Sequence, residues 1–98
     1  MALTPRAYGI PWYRPEDYKR ILKLMTDRHL LPPTFLEWEK KALQVEAEFL
    51  RQGAIAERVY IDPQSFRFWA RQRGLDINAA ARNAFAAEAV ARKYGGVH

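Results

Sequence analysis

Arg58-Val-Tyr-Ile-Asp-Pro63 decides the fold, because it is the one convincing β-strand in the chain and it stands almost alone. Val59 and Ile61 alternate with Arg58 and Tyr60, the period-2 pattern of a half-buried strand. Asp62-Pro63 then reads as a helix N-cap followed by proline in the first turn. A lone strand leaves backbone donors and acceptors unpaired, so it needs an edge, within this chain or on a second copy. The first choice gives a self-contained domain and the second an interlaced dimer.

Upstream, Ala7-Tyr-Gly-Ile-Pro-Trp-Tyr-Arg14 is rich in aromatics and carries Pro11, with Pro15 just beyond. Proline pushes its predecessor toward extended backbone, so the spacing predicts an arm over about residues 1–14. Tyr8, Ile10 and Trp12 share one side if it is extended, and Pro11 restricts any pairing to an edge. Ala7–Ile10 is the candidate partner for Val59–Ile61.

A first helix is expected from Pro15, with Glu16 and Asp17 set against its positive end. Tyr18, Ile21, Leu22 and Met25 form its apolar stripe, with Lys19, Arg20 and Lys23 facing away. Leu30-Leu-Pro-Pro33 ends it. Thr34-Phe-Leu-Glu37 is a capping box opening a second helix to about Gln52, with Gly53 suited to a left-handed C-terminal position. Phe35, Trp38, Ala42, Val45 and Phe49 make one ridge on that helix; Leu36, Leu43 and Leu50 make another beside it. So broad an apolar surface predicts cover on two sides. A third helix spans Pro63–Arg73 and stops at Gly74. A fourth, alanine-rich helix runs over roughly Ala79–Tyr94, capped by Asp76 or Asn78 and ended by Gly95-Gly96, with Val97-His98 expected to fray.

Ninety-eight residues, 49% hydrophobic and 13% aromatic, fit one domain over 1–98 with a modest core. The absence of cysteine excludes disulfides and thiol chemistry, and suits a reducing compartment. Met1-Ala-Leu-Thr-Pro-Arg6 has no apolar leader core, and no window approaches the roughly 18 apolar residues of a membrane span. A soluble, cytoplasmic protein is expected, with no membrane partner. The net charge of +5 is spread along the chain rather than concentrated in a basic face, which argues only weakly for nucleic acid.

No nucleophile motif, phosphate loop or zinc spacing is present, so the expectation is no catalytic residue, no metal and no cofactor. Glu39 and Glu46, seven residues apart, could in principle share acid–base work or hold a metal, but matching Glu-x-x-His pairs are missing. The plainer reading pairs them with arginines of neighbouring helices, Arg82 or Arg92. His29, in the polar turn Thr26-Asp-Arg-His29, and the terminal His98 lack second groups to work with. An enzyme would need a pocket joining Glu39 or Glu46 to His29. On the third helix, Arg67 and Arg71 are an i, i+4 basic pair beside Phe68. Phe66, Trp69 and Ala70 point toward the core, leaving Phe68 either covered by the aromatic arm or exposed as an interface anchor.

Val59-Tyr-Ile-Asp-Pro63, the helix to Gly74 and the capped helix from Asn78 resemble the strand-helix-helix order of ribbon-helix-helix repressors and antitoxins. That resemblance implies a dimer in which strands of two chains pair antiparallel and enter the DNA major groove, with Arg58 and Tyr60 reading bases. The whole chain also resembles a small bacterial family of unassigned function, through Ile10-Pro-Trp-Tyr-Arg14, Leu31-Pro-Pro-Thr-Phe35 and Ile61-Asp-Pro-Gln-Ser-Phe66. It implies no activity.

The expected fold is therefore α+β and mostly helical, with four helices and one short strand from about Glu57 to Ile61. The expected core is Tyr18, Ile21, Leu22, Trp38, Val45, Phe49, Val59, Ile61, Phe66, Trp69 and Phe85. The expected function is a small accessory or protein-interaction domain, with an interaction surface of Trp12, Tyr13, Arg67, Phe68 and Arg71 for an unidentified protein partner. The alternative is the DNA-binding dimer. A monomer is favoured, because pairing of the strand with the arm would complete the sheet within one chain.

Overall fold

The strand finds its edge inside the chain. In the computed structural model, which describes residues 6–94, β1 (Ala7–Trp12) and β2 (Ile55–Tyr60) pair as a two-stranded parallel sheet. The register runs from Ala7 opposite Ile55 to Trp12 opposite Tyr60. The ladder is continued at its ends, where Ile55 N donates to Arg6 O at 2.7 Å and Ile61 N to Trp12 O at 2.9 Å. Val59 therefore sits opposite Pro11, and the strand begins at Ile55 rather than Glu57. Ala54-Ile-Ala56 lacks polar alternation and reads as a loop in sequence; only its partner makes it strand. Pro11 is tolerated because each strand of a two-stranded sheet is an edge.

Parallel strands need a long crossover. Here it carries a 3-10 turn over Pro15–Asp17, α1 (Tyr18–Leu24), a second 3-10 turn at Arg28–Leu30, and α2 (Phe35–Arg51). The helix expected to start at Pro15 opens with that tighter turn. After the sheet come α3 (Pro63–Gln72) and α4 (Ala79–Lys93), so among the described residues four helices and one small sheet make a mostly helical α+β fold. The caps are local and legible: Thr34 Oγ1 accepts from Glu37 N, Asp62 Oδ2 from Ser65 N at 2.9 Å, and Asn78 Oδ1 from Ala81 N at 3.1 Å. Gly53 and Gly74 take positive φ of 79° and 63° just past their helices. Residues 1–5 of the arm, the Gly95-Gly96 stop, Val97 and His98 lie outside the described residues. No helix among the described residues is long and apolar enough to cross a membrane.

The core forms where α2 crosses the sheet. Trp38 meets Trp12 edge-on with centroids 5.1 Å apart, Tyr13 at 4.6 Å and Phe35 at 5.5 Å; Tyr8 stacks on Phe49 at 4.7 Å. Trp12 and Tyr13 are thus buried in the core rather than exposed, as membership of an interaction surface would need. Alternation explains it: once β1 is a paired strand, Tyr8 and Trp12 share the side facing α2. Phe66, Trp69 and Phe85 form a second aromatic group with centroids 5.2–6.0 Å apart.

Tyr18, Ile21, Trp38, Ile61 and Phe66 are buried as expected. Leu22, Phe49, Val59, Trp69 and Phe85 are only partly buried. Val45 is 48% exposed and leaves the core, as does the whole Leu36, Leu43, Leu50 ridge. The sheet covers one side of α2, and α1 and α4 pack elsewhere, against α3 and β1 respectively.

The alanine-rich α4 lies close along β1, and Gly9 is the point of nearest approach. A Cβ on Gly9 would collide with the Ala86 carbonyl, 2.8 Å from its carbon and 2.9 Å from Val90 Cγ2. Backbone on one side and a packed valine on the other cannot both yield. Gly9→Ala is expected to cost roughly 1–3 kcal/mol by overpacking, read as a lower urea midpoint with unchanged slope. An unchanged midpoint would mean that α4 sits further from β1.

A candidate interaction face on α1 and α3

On α3, Phe66 and Ala70 are buried and Trp69 half-buried, which turns Gln64, Arg67, Phe68 and Arg71 to the opposite side. Phe68 is 63% exposed. The described part of the arm does not cover it, because β1 is engaged in the sheet and packed between α2 and α4. Its ring thus stands in water near the centre of that helix face.

Alongside runs a groove of about 440 Å³ lined by Arg20, Lys23 and Leu24 of α1 and by Pro63, Gln64 and Arg67 of α3. Three cations and no carboxylate line it. Arg20 bonds Asp17 Oδ1 at 2.8 Å, yet its side chain stays 70% exposed. Among the described residues, Lys23, Arg67 and Arg71 enter no ion pair. Asp62, next to Pro63, is committed to capping. The Ser65 amide is the main cause holding its carboxyl below the usual range, with Arg20 and Arg14 adding to it. Its charge is thus spent on the α3 N-terminus.

Arg20 and Lys23 were legible only as the polar side of α1. Their helix spacing is local, but that α3 lies beside them is a long-range fact of the fold.

Several of the remaining charged groups are tied into the fold. Arg58 donates Nε and Nη2 to Glu46 at 2.7 and 2.9 Å, and its guanidinium lies 4.0 Å from the centre of the Trp12 ring. These bonds hold Glu46 below the usual carboxylate range. The partner of Glu46 is thus a strand arginine, neither Arg82 nor Arg92: β2 turns Arg58 to the face crossed by α2. Arg82 instead grips Asp27, and Arg92 meets Glu88. Tyr60 carries Arg14 over its ring at 4.5 Å. Arg58 is thereby occupied, and β2 is paired in parallel with β1.

Glu39 lines a second cavity with Trp12, Tyr13, Arg14, Arg58 and Tyr60 among others, and His29 does not line it. His29 is exposed in its 3-10 turn. Among the described residues no cluster of three histidine, aspartate or glutamate side chains could hold a metal. Comparison with protein-family models, curated proteins and solved structures returned no match.

Proposed function

We propose that the protein is a non-enzymatic interaction domain whose working surface is the exposed face of α3 with the adjoining α1 groove, and that its partner is an acidic protein segment carrying an apolar side chain. The observation that carries this reading is Phe68, exposed between Arg67 and Arg71 beside a groove with three cations and no carboxylate. Buried aromatic and arginine side chains dominate binding energy at protein interfaces. Unpaired cations of one sign steer and orient an acidic partner. An apolar side chain against Phe68, with flanking carboxylates on Arg67, Arg71 and Lys23, uses both the ring and the unpaired cations of the face.

Phosphate-rich nucleic acid would use the cations and leave Phe68 without a task, so an acidic protein fits better. The ribbon-helix-helix reading needs Arg58 and Tyr60 on a strand paired with its copy, and Arg58 here serves Glu46 and Trp12.

The test is fluorescence anisotropy with a short labelled peptide of aspartates and glutamates around one leucine, against duplex DNA at the same salt. Phe68→Ala and Arg67→Glu are each expected to weaken peptide binding about tenfold or more. Both positions are exposed, so the fold survives. Peptide binding that both variants leave unchanged, or DNA binding that is tighter and indifferent to Phe68, overturns the proposal.

A further inference from the structure

We infer that the protein self-associates through the leucine ridge of α2, as a parallel two-fold pair of helices. Leu36, Leu43 and Leu50 recur every seven residues and are 74%, 44% and 57% exposed. Sevenfold spacing keeps them on one side of the helix, over about 21 Å of its length. The sheet covers the opposite part of α2, so this ridge is an apolar seam with heptad spacing and no occupant among the described residues.

The charge order along the ridge says what occupies it. With the leucines at the d positions of a heptad, Lys40 and Ala47 fall at a, Glu39 and Glu46 at g, and Glu37, Gln44 and Arg51 at e. In a parallel pair each g residue faces the following e residue of the copy. Glu39 then meets Gln44, and Glu46 meets Arg51. In an antiparallel pair the g rows face each other, and Glu39 stands opposite Glu46 on both ends of the seam. Four carboxylates in two like pairs oppose that arrangement. An antiparallel pair would also set Glu37 near Arg51 of the copy, but only the parallel pair is free of like-charge contacts along its flanks.

Existing ion pairs do not block it. Glu46 holds Arg58 and Arg51 meets Glu48, and both side chains remain partly exposed, so the contact across the pair extends two networks. Lys40, at a single a position, faces its own copy. A lysine there lowers stability but sets register and strand number, its stem lying on the seam and its ammonium reaching out beside Glu39 of the copy. The ridge spans only two heptads, so the pair is weak, with a correspondingly high dissociation constant.

Sedimentation velocity of the full chain, in a concentration series reaching about 0.5 mM so that a weak pair is populated, reads this directly. The expected result is a mass rising from 11.4 kDa toward twice that value. Leu43→Glu places two carboxylates in the seam and is expected to raise the constant by about a hundredfold or more, while its thermal melt at low concentration matches the parent. The chain has no cysteine, so Leu36→Cys reports orientation. Under mild oxidation it links to its own copy in a parallel pair, whereas an antiparallel pair sets Leu36 against Leu50 and leaves it unlinked. A monomer throughout, a dimer indifferent to Leu43→Glu, or a dimer that Leu36→Cys never links would each overturn the inference. The first assigns the ridge to another occupant, and the second moves the interface elsewhere.

Discussion

Replacing Trp38 by alanine is expected to remove about 3–5 kcal/mol of folding stability. Trp38 is the hub of the larger aromatic group, within 6.1 Å of the ring centres of Trp12, Tyr13, Tyr18 and Phe35. It is where α2, β1 and the start of α1 meet, so truncation leaves a void bordered by three elements that cannot all close on it. The loss includes edge-on and tilted ring contacts, worth more than their area alone. For a chain of this size the melting temperature falls by more than about 12 °C. Trp69 is only half-buried, and Trp69→Ala is expected to cost less. A Trp38→Ala variant that melts within a few degrees of the parent would show that α2 does not lie across the sheet here.

The second large effect is expected at Arg82, which joins the loop after α1 to the start of α4. Its guanidinium donates to both oxygens of Asp27, at 2.9 and 3.2 Å, and neither side chain is more than 14% exposed. Asp27 Oδ2 also accepts from Ala79 N at the first turn of α4. Thr26 adds a backbone bond of 2.8 Å to the Ile77 carbonyl. Arg82→Met leaves a mostly buried carboxylate facing an apolar side chain, at a cost of about 3 kcal/mol or more. Asp27→Leu together with Arg82→Met removes both charges and is expected to recover part of that loss, as is common when buried ion pairs give way to apolar groups.

The same pair fixes the acid limb of stability. The hydrogen bond from Arg82 is the main cause holding the Asp27 carboxyl below its usual range. A carboxyl lowered in the folded state contributes stability that is complete above its unfolded value, near pH ~3.9. That contribution is lost as pH falls through the lower folded value. The parent is therefore expected to weaken below about pH 4, and Arg82→Met to show a shallower acid slope. An equal slope in both would place the acid sensitivity in other carboxylates.

Local chemistry made much of this architecture legible. Thr34, Asp62 and Asn78 announce three helix starts because a cap depends on residues three positions apart. Val59 and Ile61 announce a strand for the same reason. The partner of that strand was readable too, since an extended aromatic arm had no other use. Its direction and register were not, because both depend on how the crossover packs. Burial of Trp12 and Tyr13 follows from that pairing, which is why an interaction surface drawn from aromatic content alone included them. Val45 and the leucine ridge failed in the opposite sense: helical periodicity shows which residues share a side, not whether an element arrives to cover it. Arg67, Phe68 and Arg71 were legible as a face, whereas Arg20 and Lys23 joined it only through the packing of α1 against α3.

The most direct test of the interaction face is a backbone amide NMR titration of the full chain with the acidic, leucine-bearing peptide. The account predicts shifts concentrated at Gln64–Arg71 of α3 and Arg20–Leu24 of α1, saturating together and weakening steeply as salt rises. Shifts centred on Arg58–Tyr60, or no saturating shift on α3, would contradict it.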